Sequence, residues 1–132
     1  MMFKLGARSL ANLSGVHPDL VKVVKKAIEI TPIDFVVTEG LRTYERQQQL
    51  FKAGATKTMN SRHLTGHAVD LAPIVGGKAE WRLCPKVASA MKLAAAGLRI
   101  PLEWGGDWKT FIDQPHFQLT WKDYPAKGKA DA

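Results

Sequence analysis

The sequence predicts a single α+β domain in which a small antiparallel sheet is flanked by about three helices. A length of 132 residues suits one hydrophobic core rather than two. Amphipathic helical stretches also alternate with short runs of β-like residues. Hydrophobic residues make up 45% of the chain and charged residues 23%, which excludes a disordered or membrane-spanning protein. We assign residues 1–126 to the domain and residues 127–132 to a polar C-terminal tail.

The helices are predicted from the spacing of apolar residues and from the residues at their ends. The first follows His17, with Pro18 in its opening turn. The second covers residues 43–53, where Thr43 can cap its start. Arg46 and the glutamines at 47–49 are interpreted as its solvated face. The third helix covers residues 85–96 and ends at a glycine.

Four short runs have the character of strands, and they are separated by turn residues. In the last run, His116 and Gln118 alternate with Phe117 and Leu119, as expected for a strand with one buried face. The runs cover residues 33–38, 67–71, 102–104 and 116–121.

Charge and cysteine content limit the classes of partner and of metal site. The net charge of +7 favours a polyanionic partner such as nucleic acid, anionic lipid or a bacterial envelope. We expect no nucleic-acid binding, because no recognition helix or aromatic-basic pattern is present. No apolar run reaches the roughly 18 residues of a membrane span, so we expect no stable membrane insertion. A single cysteine, Cys84, means that any metal must be held by histidine and carboxylate.

Residues 61–70 (Ser-Arg-His-Leu-Thr-Gly-His-Ala-Val-Asp) place two imidazoles and a carboxylate close together. His63 and Asp70 lie seven positions apart, so on one straight strand they would face opposite ways. They converge only if the chain bends between them, and Gly66 permits a tight bend. His67 is interpreted as a neighbour of the site that contacts substrate, because no helical metal-binding motif fits around it.

A second segment, Asp113-Gln114-Pro115-His116, adds another carboxylate and another imidazole. The proline favours an extended chain, which suits a loop that leads into a strand. Any single histidine is more often structural than metal-binding. Two histidines and one aspartate, with a water in the open fourth position, nevertheless form a known type of catalytic zinc site.

These residues resemble the zinc metallopeptidases of the VanY-like family, which includes D-Ala-D-Ala carboxypeptidases and the L-alanyl-D-glutamate peptidases of phage endolysins. The match is to the pattern Ser-x-His-x-x-Gly-x-Ala-x-Asp at residues 61–70 and to the acid-x-x-His pair at residues 113–116. Residues 16–20, 39–43 and 104–108 also resemble the phage endolysin branch. The resemblance therefore covers nearly the whole chain.

The resemblance implies a role for each matching residue. Asp113 would be the general acid and base, at a position where some family members have glutamate. Arg42 and Ser61 would lie on the substrate side, with Arg42 holding a carboxylate or a polarised carbonyl. The implied zinc ligands are His63, Asp70 and His116.

The function implied by the resemblance is hydrolysis of the L-alanyl-D-glutamate bond of bacterial peptidoglycan by metal-activated water. A monomer would be stored in the host cytoplasm until release, and would then act on the cell wall. Two alternatives stay open. One is a D-Ala-D-Ala carboxypeptidase or dipeptidase of the same fold, and the other is a metal-containing module that binds envelope polymers or nucleic acid without catalysis.

Overall fold

The structure is a computed structural model that describes residues 2–56 and 58–125. This part of the chain forms a five-stranded sheet with four α-helices, which confirms the α+β class. The tail predicted at residues 127–132 lies outside the described residues. The helices are α1 (Ala7–Asn12), α2 (Pro18–Ile30), α3 (Tyr44–Lys52) and α4 (Cys84–Leu98). The strands are β1 (Asp34–Glu39), β2 (Ala68–Val75), β3 (Lys78–Ala79), β4 (Leu102–Trp104) and β5 (His116–Leu119).

The sheet is antiparallel throughout, in the order β1-β2-β5-β4, with β3 paired to β2. The pairing register puts Asp70 of β2 opposite Glu39 of β1 on one side and opposite His116 of β5 on the other. Directly paired residues project to the same face of a sheet. The register therefore gathers polar side chains from three neighbouring strands at one level of the sheet.

The hydrophobic core lies on the other face of the sheet, where α2 and α4 pack against each other. Alternation along the strands separates the two faces: Val69 and Leu71 enter the core, while Asp70 between them does not. In the same way Phe117 and Leu119 of β5 enter the core. The core side of the sheet is thus apolar, and His116 and Gln118 are left for the polar face.

Two helices, α2 and α3, have side-chain caps at their starts. The predicted end of the third helix at Gly97 is wrong, because α4 continues to Leu98 and Arg99 ends it in the left-handed region at φ +58°. The Thr43 hydroxyl accepts a hydrogen bond from the Arg46 N–H at 3.1 Å, which confirms the predicted cap of α3. At the start of α2, Nδ1 of His17 accepts from the Asp19 N–H at 3.1 Å. Among the described residues, no helix has both the length and the apolar character required to cross a lipid bilayer.

Two elements, α1 and β3, were not predicted from the sequence. Helix α1 has six residues, which is shorter than the window in which helical periodicity can be recognised. Its role is visible in its contacts with β1, an outer strand of the sheet. The Ser9 hydroxyl accepts from the Val37 N–H at 2.9 Å, and the Asn12 side chain donates to the Val37 carbonyl at 2.8 Å. These bonds satisfy backbone groups that an outer strand would otherwise leave unpaired.

Candidate active site

The segment that precedes β2 bends at Gly66, as predicted from the sequence. Arg62–Thr65 forms a 3-10 turn, and Gly66 ends it in the left-handed region at φ +77°. A Cβ at this position would collide with the carbonyl oxygen of Gly15. Because the chain turns here, the imidazole of His63 points back to β2, with its Nε2 3.2 Å from Oδ1 of Asp70.

His63, Asp70 and His116 form a compact group, which we call the cleft cluster. Nδ1 of His116 lies 3.3 Å from the same Oδ1 of Asp70 that His63 approaches. One ligand atom from each residue lies within 4.8 Å of the other two. The two imidazole rings meet edge to face, with 5.0 Å between their centroids. This cluster is able to hold a metal ion.

The outward nitrogen of each imidazole is already engaged by an oxygen. Nδ1 of His63 donates to the carbonyl of Gly40 at 2.8 Å, and Nε2 of His116 donates to Oε1 of Gln118 at 2.7 Å. A neutral imidazole carries one proton, so each remaining nitrogen has a free lone pair. Both lone pairs lie on the side of Asp70. Two nitrogens and one carboxylate oxygen are a donor set that suits zinc.

The charges in the cleft cluster also fit a metal site. Burial raises the pKa of Asp70, but the hydrogen bonds from His116 and His63 outweigh burial and bring it well below its usual value. Burial lowers the pKa of His116, while the hydrogen bond and negative charge of Asp70 raise it more strongly. Without a metal, this favours a second proton on Nδ1 of His116, and a bound cation would have to displace that proton. Asp70 is therefore ionised at neutral pH, as a ligand must be.

The cleft cluster lies in a cleft of about 450 Å³ that also contains the other predicted site residues. Asp113, Arg42 and Ser61 all line it, so the structure brings together the residues that sequence reasoning had selected. The Ser61 hydroxyl additionally accepts from the His63 N–H at 3.2 Å and so caps the 3-10 turn.

Asp113 is held in the cleft by its backbone. Its N–H donates to the carbonyl of Gly105 at 3.0 Å, and its carbonyl accepts from the His116 N–H at 3.2 Å. A Cβ at Gly105 would collide with the carbonyl oxygen of Asp113, so only glycine permits this approach. Burial and the negative charge of Asp70 raise the pKa of the Asp113 carboxyl. A carboxyl of raised pKa beside a metal site is suited to accept and return protons.

Arg42 is fixed by two neighbours. Its Nε and Nη2 donate to the carboxylate of Glu39 at 3.0 and 2.5 Å, and its Nη1 donates to Oε1 of Gln47 at 2.7 Å. Nη2 also lies 4.0 Å from Oδ2 of Asp70. A guanidinium has five N–H donors, and these bonds use three of them. Among the described residues, the other two make no hydrogen bond, and Arg42 lines the cleft.

A comparison with known proteins identifies the family. The family model of phage L-alanyl-D-glutamate peptidases matches residues 1–120. The chain belongs to this family. The family predicted from residues 61–70 and 113–116 is therefore confirmed, and the chain is a peptidase.

The peptidase is similar to named relatives over most of its length. It is 36% identical to the L-alanyl-D-glutamate peptidase of Escherichia phage T5, over 86% of this chain and 87% of that protein. It is 32% identical to the peptidoglycan L-alanyl-D-glutamate endopeptidase CwlK of Bacillus subtilis, over 80% of this chain and 74% of that protein.

Two solved structures are similar to this chain. The L-Ala D-Glu endopeptidase ChiX of Serratia marcescens superposes with a TM-score of 0.86 at 50% identity, covering 91% of this chain and 92% of ChiX. The D,D-dipeptidase VanXYg superposes with a TM-score of 0.53 at 16% identity, covering 79% of this chain and 50% of VanXYg, which shows a shared fold.

The supporting role of one buried polar residue of the peptidase was not predicted from the sequence. Gln47, interpreted as solvated, is fully buried and joins Arg42 to the carbonyl of Thr58, to which its Nε2 donates at 2.6 Å. Nothing distinguishes it in sequence from the two glutamines that follow. His67, interpreted as a neighbour of the site, packs against His17 and is not among the residues that line the cleft, so its contact with substrate stays a prediction.

Proposed function

We propose that this peptidase hydrolyses the L-alanyl-D-glutamate bond in the peptide part of bacterial peptidoglycan, with zinc held by His63, Asp70 and His116. The observation that carries the proposal is the convergence of three ligand atoms on one point in the cleft that contains Asp113. The names of the relatives support this bond as the substrate. The donor set, with both outward imidazole nitrogens already engaged, supports zinc as the metal.

Asp113 is proposed as the proton carrier. His63, Asp70 and His116 would hold the zinc ion, which would act as a Lewis acid and could acidify a water molecule and polarise an amide carbonyl. The Asp113 carboxylate would accept a proton from the attacking water and then pass it to the departing amine. Its raised pKa serves both halves of this cycle, because a more basic carboxylate accepts the proton more readily and holds it until the amine forms.

Arg42 and Ser61 are proposed to position the substrate. The two unused N–H donors of Arg42 suit a carboxylate or the developing negative charge on the scissile carbonyl oxygen. Its pairing with Glu39 fixes the guanidinium before substrate arrives, so little side-chain entropy is lost on binding. Ser61 keeps a hydroxyl proton to donate, since its oxygen accepts from the His63 N–H.

The cell wall is proposed as the site of action, reached after release from the host cytoplasm. The net charge of +7 supports attraction to an anionic envelope. We further propose that the protein acts as a monomer, with residues 1–126 as the catalytic domain.

Digestion of purified peptidoglycan tests the proposal. The peptidase should release muropeptides with a new amino terminus on D-glutamate, detectable by mass spectrometry after amine labelling. Removal of metal by a chelator should stop the reaction, and added zinc should restore it. Loss of terminal D-alanine instead would support the carboxypeptidase alternative. Intact muropeptides, together with binding to the wall, would support a module without catalysis.

A further inference from the structure

We propose that Gln118 and Glu103 act as positioning residues for His116 and that they set the affinity of the cleft cluster for its metal. The two residues form a hydrogen-bond chain that begins at Glu103 and ends at the imidazole of His116. The proposal rests on the proposed zinc site, and it adds two residues that are not themselves metal ligands.

The direction of the hydrogen-bond chain is fixed at Glu103. Nε2 of Gln118 donates to Oε1 of Glu103 at 2.8 Å. An ionised carboxylate only accepts hydrogen bonds, so the NH₂ group of the Gln118 amide must face Glu103. The amide oxygen then faces His116, where it lies 2.7 Å from Nε2. That oxygen accepts only, so the proton of a neutral His116 is on Nε2.

The consequence for the metal site lies at the opposite nitrogen of His116. With the proton on Nε2, the lone pair is on Nδ1, which is the nitrogen that lies 3.3 Å from Asp70. A reversed Gln118 amide would present its NH₂ to His116 and favour the tautomer whose Nδ1 is protonated and unable to bind a metal. The charge on Glu103 therefore selects the metal-binding tautomer of His116 through one amide.

The sheet holds the hydrogen-bond chain in place. His116 and Gln118 project from the same face of β5, two positions apart, and each is only 5% exposed. Glu103 lies directly opposite Gln118 in the pairing of β4 with β5. Buried polar side chains between two paired strands have few alternative conformations. His63 differs in this respect, since its outward nitrogen is held by a backbone carbonyl, that of Gly40.

The test measures zinc affinity by competition with a chelator and, separately, the melting temperature of the zinc-free protein. Gln118→Leu removes the acceptor and should weaken zinc binding by roughly 10- to 100-fold, the usual effect of losing such a partner. Glu103→Gln keeps the shape but not the fixed acceptor, and should weaken zinc binding by roughly 10-fold. Gln49→Leu, at an exposed glutamine of α3, is the matched control and should bind zinc like the wild type.

A double variant separates positioning from general stability. Glu103→Gln combined with Gln118→Glu reverses the two groups, so that an acceptor still faces His116 and an amide donor still faces the carboxylate. It should recover wild-type zinc affinity to within about 3-fold, whereas Gln118→Glu alone sets two carboxylates against each other. Affinity unchanged in both Gln118→Leu and Glu103→Gln, or lost in step with melting temperature in every variant, would overturn the proposal. Failure of the wild-type protein to bind zinc would instead overturn the proposed function.

Discussion

Two groups of histidines lie close together in this protein and have different chemistry. In the cleft cluster, His63 and His116 share one oxygen of Asp70. In the second group, which we call the outer cluster, His67 packs beside His17 with 5.3 Å between ring centroids, and both rings contact Tyr124. His63 and His67 are four positions apart in the sequence, so the bend at Gly66 separates their roles.

The difference between the clusters follows from which groups occupy the ring nitrogens. In the cleft cluster the outward nitrogens donate, so the inward nitrogens of the neutral imidazoles can offer lone pairs to a metal. In the outer cluster, Nδ1 of His17 accepts from the Asp19 N–H, so the proton of neutral His17 is on Nε2. The Asp19 carboxylate accepts from the Tyr124 hydroxyl at 2.7 Å. Proximity of imidazoles is thus not enough for a metal site, which also needs free lone pairs and a shared carboxylate.

The largest expected effect comes from His63→Gln, which breaks the cleft cluster. Glutamine retains a polar side chain but cannot replace the imidazole ligand, so zinc should be lost and hydrolysis should fall to the level without protein. Elemental analysis after dialysis and a muropeptide digest measure the two effects. The same substitution in the outer cluster, His67→Gln, should retain zinc. Equal zinc content in both variants would mean that the two clusters do not differ as described.

The second-largest effect is expected from Asp113→Asn, which separates metal binding from proton transfer within the cleft. Asp113→Asn removes the base but no ligand, so zinc content should stay at the wild-type level while kcat falls by about 10²- to 10⁴-fold. Turnover is followed by release of D-glutamate amines from peptidoglycan. A variant that turned over at the wild-type rate would remove Asp113 from the reaction.

The sequence predicted the cleft cluster better than its surroundings, for a physical reason. His63, Asp70 and His116 lie in sequence patterns that resemble those of zinc metallopeptidases. Gly66 marks the bend that brings His63 back to Asp70. Gln118 appears in the sequence only as one polar residue of an alternating strand. Its role depends on the register that places Glu103 opposite it, which a single sequence does not contain.

Most helices of the fold were predicted from the sequence, but one was not. Helices α2 and α4 were predicted from the spacing of their apolar residues, and α3 from the residues at its ends. Helix α1 was missed, since six residues give too few turns to form a pattern. Its contacts with β1 are made by Ser9 and Asn12, whose polar side chains carry no signal of burial in the sequence.

A third prediction concerns support of the cleft by buried Gln47. Gln47→Leu leaves Nη1 of Arg42 without its acceptor, and should cost about 1–3 kcal/mol of stability, because a hydrogen bond to a charged group is lost. The guanidinium also loses its fixed position, so KM should rise more than kcat falls. Thermal unfolding and steady-state kinetics measure these effects. Exposed Gln49→Leu is the control, and identical behaviour of the two variants would contradict a supporting role for Gln47.

The smallest expected effect is in the outer cluster and depends on pH. Burial, followed by the positive charge of Arg62 and the nearby imidazole of His17, lowers the pKa of His67 below its usual 6.5. At this position the unfolded chain therefore binds a proton more readily than the folded one. The contribution of His67 to the free energy of unfolding is fully present above pH 6.5 and is lost as the pH falls below it. His67→Gln removes this loss, so its melting temperature should fall less than that of the wild type between pH 7.5 and pH 5. A difference between the two proteins that stayed constant with pH would show that the titration of His67 does not contribute. In the zinc-free cleft cluster the pH dependence has the opposite sign. The pKa of His116 is raised there, so its contribution to the free energy of unfolding is lost as the pH rises.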